Sequence, residues 1–321
     1  MANYEVVCVG SATVDHFLKV KPSFSSIKVG DKIMVTAGEL HSGGGATNVA
    51  AGLSRLGLKT AVAAKIGQDH YAELVLKDLK RFKVHYQALC RSRKHTDFST
   101  IVFSVQDQDR VIFVHKGASQ DLQKSDLQHS FFSTQWIHMG SLTGASFPTA
   151  KKIAASAGKK KISLLFNPSL YLAQKGVTVL KPILRNTTLL IFNKEEAQAL
   201  LKSYSQSMEE MVKQLPDYGP TTVIITDGPR NVAAWHEHTI YSLVPPQVKV
   251  VDTTGAGDAF TAGVLAGLIK QYSFEDALRL GQVNALSVIQ QVGCKNKLLT
   301  EKEGKLLVKR FGIKVLKRKI N

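Results

Sequence analysis

The densest chemistry in the sequence lies at Asp252-Thr253-Thr254-Gly255-Ala256-Gly257-Asp258, which runs into the apolar stretch Ala259–Ile269. Small residues where a loop turns into a helix leave backbone N–H groups without intrahelical acceptors, and the helix dipole adds partial positive charge. Such a turn can hold a phosphate oxyanion, and glycine removes the Cβ that would block close approach. Asp258, in the first helical turn, then lies beside any phosphoryl group held there. A carboxylate so placed can accept a hydroxyl proton while the amides stabilise charge developing on the phosphoryl group. The plainer alternative is a glycine-rich turn with Asp258 as an N-terminal helix cap.

A second string, Ser42-Gly43-Gly44-Gly45-Ala46-Thr47-Asn48, also places glycines ahead of a helical pattern. A hydroxylated ligand can pack on bare backbone there while the Asn48 amide chelates it. The Gly-Lys-Ser/Thr ending of a Walker loop is missing, and the spacing is wrong for a dinucleotide fingerprint.

Both strings must be carried by the elements around them. Short β-branched runs at Glu5–Val9, Thr60–Ile66, Trp136–Met139, Ile162–Phe166, Thr188–Phe192 and Thr222–Thr226 alternate with amphipathic segments at Asn48–Leu56, Tyr71–Phe82, Phe147–Ala157 and Lys194–Leu201. That alternation predicts a parallel sheet covered by helices on both faces. Three helices are expected in the last third, over Ala256–Ile269, Phe274–Val292 and Glu301–Phe311, the last opened by a capping box from Thr300 to Glu303. Lys32–Leu40 and Phe98–His115 are β-rich with no helix between strands. The second reads as a hairpin, Ser99–Val105 and Val111–His115 around a polar turn. Together they predict a small antiparallel sheet inserted as a lid, whose edges need cover.

Composition limits the classes. The 321 residues are 44% hydrophobic, enough for a sizeable core. No apolar run approaches the roughly 18 residues of a membrane span, and Met-Ala-Asn-Tyr-Glu does not open a signal peptide. The odd, scattered Cys8, Cys90 and Cys294 suit a reducing cytoplasm. Lys+Arg 42 against Asp+Glu 25 gives +17, and Lys295 to Asn321 alone carries ten basic and two acidic residues. That balance favours anionic partners, yet no aromatic residues interleave with the basic runs as a nucleic-acid stacking platform requires. A solvated basic surface is the simpler reading. The ten histidines show no helical metal spacing, and His236 and His238 read as one face of a surface strand. Lys116, ending a lid strand, either reaches the cleft or faces water.

Taken together, the two glycine strings resemble those of the ribokinase-like, PfkB carbohydrate kinase family. The resemblance extends to Val9-Gly10-Ser11-Ala12-Thr13-Val14-Asp15, Asn193-x-x-Glu196 and Thr226-Asp227-Gly228, in the family's order. It implies a three-layer α/β/α sandwich with a β-sheet lid at about 14–41 and 97–118, on one domain spanning the chain. Asp258 matches the family's catalytic base, and Gly255, Ala256 and Gly257 its anion hole. Asp15, Gly44 and Asn48 match positions that bind acceptor hydroxyls. Asn193, Thr226, Gly228 and Asn284 match positions on the nucleotide side, and Glu196 one that holds Mg²⁺ through water. Asp252, Thr254, Val288 and Gly293 match a monovalent-cation (K⁺) site. Two departures weaken the likeness to ribose kinases: Gly45 stands where these carry Lys, and Gly140-Ser141 where they carry an acid.

The resemblance implies transfer of the γ-phosphoryl of ATP, with Mg²⁺, to a hydroxymethyl group of a sugar, with a nucleoside as the alternative acceptor. A sugar-sensing binding protein on the same fold is the rival outside catalysis. Because the glycine string carries no cation and Asp15 is negative, the expected acceptor is unphosphorylated. Neither a membrane nor nucleic acid is expected as a partner; the lid hairpin is expected either to close over substrate or to pair with a second copy as a homodimer.

Overall fold

The apolar runs pair side by side into one nine-stranded sheet. Its strands are β1 (Tyr4–Val9), β4 (Thr60–Ala63), β9 (Thr134–Met139), β10 (Ser163–Phe166), β11 (Leu189–Asn193), β12 (Thr222–Thr226), β13 (Val232–His236), β14 (Thr239–Leu243) and β15 (Leu316–Lys319). They lie in the order β15-β14-β13-β12-β11-β10-β9-β1-β4. The strands from β4 to β12 are parallel, and β13, β14 and β15 continue antiparallel. The computed structural model describes residues 4–86, 89–127 and 129–320; Met1–Asn3 and Asn321, at the ends read above, lie outside them.

Side-chain alternation divides the core: Val6 and Cys8 face one layer, Val7 and Val9 the other. Against the first pack α1 (Gly45–Arg55), α2 (His70–Arg81), α8 (Ala256–Ile269), α9 (Phe274–Val288) and α10 (Glu301–Phe311). Against the second pack α3 (Phe147–Lys159), α4 (Leu170–Ala173), α5 (Gly176–Leu184), α6 (Lys194–Leu201) and α7 (Met208–Gln214). This is the expected three-layer sandwich. Helix α8 is small or apolar nearly all round because it runs between α1 and α9, and it is buried from Ala259 to Gly267.

A second sheet, in the order β3-β2-β7-β8, forms the lid from β2 (Thr13–Val20), β3 (Val35–Gly43), β7 (Asp97–Ser104) and β8 (Asp109–His115). It is not wholly antiparallel. Two antiparallel hairpins lie side by side through their first strands, so β2 and β7 run parallel. The strand expected over Thr60–Ile66 is broken at Ala64, and Lys65–Ile66 (β5) pairs instead with Cys90–Arg91 (β6).

Helix α9 stops at Val288 rather than Val292. The Ile289 carbonyl accepts from Val251 N at 2.8 Å, and Gly293 turns the chain at φ +91, so this segment wraps the loop that opens α8. The capping box of α10 is formed by Thr300 and Glu303. The basic C-terminal stretch folds back as β15, with Lys317 paired to Glu275 at 2.8 Å and Arg318 paired to Glu209. His236 does not lie on a solvated face. Its ring stacks on Phe274 at 4.3 Å with Nδ1 2.9 Å from Thr222 Oγ1, and His238 sits in the following turn at φ +56. Among the described residues, no helix is long and apolar enough to cross a membrane.

Candidate active site

Gly255 takes φ +80 as the N-cap of α8, and a Cβ there would fall 2.6 Å from Cys294 Cβ. Glycine is required both by the left-handed backbone and by that approach. Ala256 N donates to Thr253 O at 3.2 Å, so of the three anion-hole residues this amide already has a protein acceptor. Asp258 follows in the first turn. Its Oδ2 accepts from Asn48 Nδ2 at 2.7 Å, across the contact between α8 and α1. Burial pushes the Asp258 carboxyl up to about 6, with Asp15 adding to the rise and the Asn48 hydrogen bond and Lys295 charge opposing it. A base poised just below neutrality is ionised at pH 7 and still basic enough to take a hydroxyl proton.

Asn48 is 3% exposed and its Oδ1 has no protein partner. Gly44 carries the chain into α1 at φ +96, where a Cβ would meet Ser11 O at 2.5 Å. Asp15 is buried, and its Oδ1 accepts from Ser99 Oγ, while Cys294 Sγ lies 3.6 Å from Oδ2. The acceptor residues expected from sequence are therefore brought to the same region, Asp15 from the lid and Asn48 from α1.

On the other side, Asn193 and Glu196 form a capping box at the start of α6. Asn193 Oδ1 accepts from Glu196 N, and Glu196 Oε2 from Asn193 N, each at 2.8 Å. Burial pushes the Glu196 carboxyl up to about 7, helped by the nearby Glu195 and Asp258 charges. Glu196, Asn193, Thr226, Gly255, Gly257 and Asp258 line one cavity of about 790 Å³. The charge repulsion between Glu196 and Asp258 fits a divalent cation that would relieve it. Gly228 turns at φ +53 with open space where a Cβ would be.

Two sequence expectations do not fit. Asn284 is fully buried. Its Nδ2 donates to Ala259 O at 2.7 Å and its Oδ1 accepts from Leu299 N at 3.1 Å, so it ties α8 to α9 and has no free end for a nucleotide. Asp252, Thr254 and Gly293 do meet, but as a hydrogen-bonded knot. Asp252 Oδ1 accepts from Thr254 N at 3.0 Å and Oγ1 at 2.6 Å, and its Oδ2 from Gly293 N at 3.2 Å. The Val288 carbonyl accepts from Gln291 N at 3.1 Å. Arg110 stands 4.0 Å from Asp252 Oδ1 and donates to Thr253 Oγ1 at 3.0 Å. A monovalent cation would meet a guanidinium there, and no step is assigned to one.

Sequence reasoning missed Arg110 and left the roles of Lys116 and Ser141 open. Arg110 reaches the anion-hole loop from the lid. Lys116 does line the cavity, yet its Nζ is 3.5 Å from the fully buried Asp97. Ser141, in place of an acid, shares a 2.8 Å hydrogen bond with Ser169 on the cavity wall. None of these carries a spacing signal; each becomes visible only when the lid and sheet close around the cavity.

A carboxylate in the first turn of α8, an amide bonded to it and a second carboxylate in the same cavity suit transfer of a phosphoryl group to a hydroxyl. Residues 3–301 match the pfkB family carbohydrate kinase, and the chain belongs to that family. It is 28% identical over 253 residues to an uncharacterized sugar kinase of Archaeoglobus fulgidus, covering 77% of this chain and 98% of the relative. It is 27% identical over 302 residues to a Bacillus subtilis ribokinase, covering 92% and 97%. The structure of an Arabidopsis thaliana ribokinase complexed with ribose and ATP superimposes with TM-score 0.83 at 21% identity, covering 96% of this chain and 99% of that one.

Proposed function

We propose that the chain moves the γ-phosphoryl of ATP to the hydroxymethyl group of an unphosphorylated sugar. The observation that carries this reading is Asp258 in the first turn of α8, held by Asn48 and placed in one cavity with Glu196. Asp15 and the open Oδ1 of Asn48 receive acceptor hydroxyls; Asp258 takes the proton of the attacking hydroxyl. Gly255 and Gly257 bring α8's N-terminal dipole to the transferred phosphoryl group. Thr226, Asn193 and Gly228 flank the nucleotide phosphates. Glu196 would hold Mg²⁺ through water, and the metal would neutralise charge on the phosphate oxygens.

An unphosphorylated acceptor follows from charge. Lys116 is already matched by Asp97, Arg110 lies against Asp252 and Thr253, and Asp15 repels a dianion. The test compares kcat/KM for ribose and fructose with fructose 6-phosphate and fructose 1-phosphate; a preference of about tenfold or more for an ester overturns the assignment.

One observation favours a nucleoside acceptor. A second cavity of about 380 Å³ lies under the lid face that carries Asp15, with Phe17, Ile101 and Phe103 in its wall. Aromatic walls of this kind suit a planar base. Adding inosine, adenosine and cytidine to the same assay separates the two.

The lid also supports a dimer reading. β8 is a sheet edge whose Phe113 is 61% exposed, with Val111, Ile112 and Val114 exposed beside it. An apolar edge of this kind needs a partner strand or face, and a second copy supplies one.

A further inference from the structure

Lys295 was counted above among the residues of a basic tail, but its side chain is 5% exposed. Its Nζ donates to Ser42 O at 2.9 Å and Ser42 Oγ at 2.8 Å, and pairs with Asp78 of α2 at 2.8 Å. Ser42 is the residue that leads from β3 into the glycine turn of α1. The neighbouring side chain, Cys294, packs against Gly255 and approaches Asp15 Oδ2. One short segment after Gly293 thus touches the acceptor carboxylate, the glycine turn and the anion hole.

We propose that Lys295 is a positioning residue of the acceptor site: its ammonium pins Ser42, and with it the glycine turn ahead of Asn48, and gives a site holding two carboxylates its buried positive charge. A buried lysine is costly unless it is fully paired, and here its three acceptor atoms come from Ser42 of β3 and Asp78 of α2. The charge has a defined effect. Asp258 is faced by Asn48 of α1, Asp15 of β2, Glu196 of α6, Cys8 of β1, and Cys294 and Lys295 of the segment after α9. Of these, only Lys295 is cationic, and it opposes the rise that burial and the Asp15 charge impose on Asp258.

This rests on the kinase reading. The experiment measures steady-state kinetics of the full chain across about pH 5 to 9, with ATP and the acceptor the wild type turns over best. Lys295→Met should lower kcat/KM for the acceptor by about 10²-fold, leave KM for ATP within about twofold, and move the acid limb of the profile to higher pH. Lys295→Arg, which keeps the charge, should retain the acid limb. Met and wild type with coincident profiles and acceptor kinetics overturn the proposal, as does an acid limb that Arg and Met shift alike. Should Lys295→Met not fold, Lys295→Gln decides on the same readouts: it should raise the acceptor KM and move the acid limb to higher pH, and an acid limb and acceptor KM both at their wild-type values overturn the proposal. A wild type inactive on every acceptor contradicts the kinase reading itself.

Discussion

Asn48 and Asp258, 210 residues apart in sequence, meet at 2.7 Å where α1 crosses α8. The bond joins the amide expected to hold the acceptor to the carboxylate expected to deprotonate it. Because the hydrogen bond favours the ionised carboxylate, it lowers the Asp258 pKa against the burial that raises it.

Removing that bond should therefore act on both partners. Asn48→Leu is expected to raise the acceptor KM and to shift the acid limb of kcat/KM upward, since the Asp258 carboxyl loses a charge-assisted bond of roughly 1.5–3 kcal/mol. A pH–rate profile measured on the variant checks this. An acid limb at or below the wild-type position contradicts it.

Glu196→Gln should raise the Mg²⁺ concentration for half-maximal rate more than it changes the acceptor KM. The Gln side chain can still accept from Asn193 N, so the capping box and α6 should survive while the charge is lost. Unchanged Mg²⁺ dependence with weakened acceptor binding would place Glu196 on the wrong side of the cavity.

Stability gives an independent check on these carboxylates. Asp258 and Glu196 are raised on folding to about 6 and about 7. The folded protein thus holds protons that the unfolded chain has released, between about pH 4 and 7, so both groups reduce stability as pH rises through that window. Asp258→Asn should raise the denaturation midpoint at about pH 8, with the gain shrinking toward about pH 4. A variant less stable than wild type at the higher pH contradicts the sign.

The lid edge predicts self-association. Phe113→Glu should convert a dimer to a monomer in light scattering at unchanged far-ultraviolet circular dichroism. A wild-type monomer at all concentrations contradicts the proposal.

Much of this was legible in the sequence, for identifiable reasons. The alternation of apolar runs and amphipathic segments gave the sandwich because a parallel sheet needs both faces covered. The string from Asp252 to Asp258 placed the start of α8 and Asp258 in its first turn because local sequence decides a glycine-rich helix start. Asn284 misled because a polar residue on a helix near the site carries no sign of which way it packs; it binds the backbone of Ala259 and Leu299. Lys295 was hidden in a basic run, since its burial depends on Ser42 and Asp78, more than 200 residues away. The parallel β2–β7 pairing follows from placing two hairpins side by side, which periodicity cannot foresee.

The central claim is that Asp258 takes the proton of the attacking hydroxyl. Asp258→Asn keeps the size of the side chain and leaves an acceptor for Asn48 Nδ2. The direct measurement is kcat for ADP release with saturating ATP, Mg²⁺ and the best acceptor, alongside the ATP dissociation constant. The variant should lose about 10²–10⁴ in kcat with ATP affinity largely intact. A variant that keeps half of the wild-type rate would contradict the account.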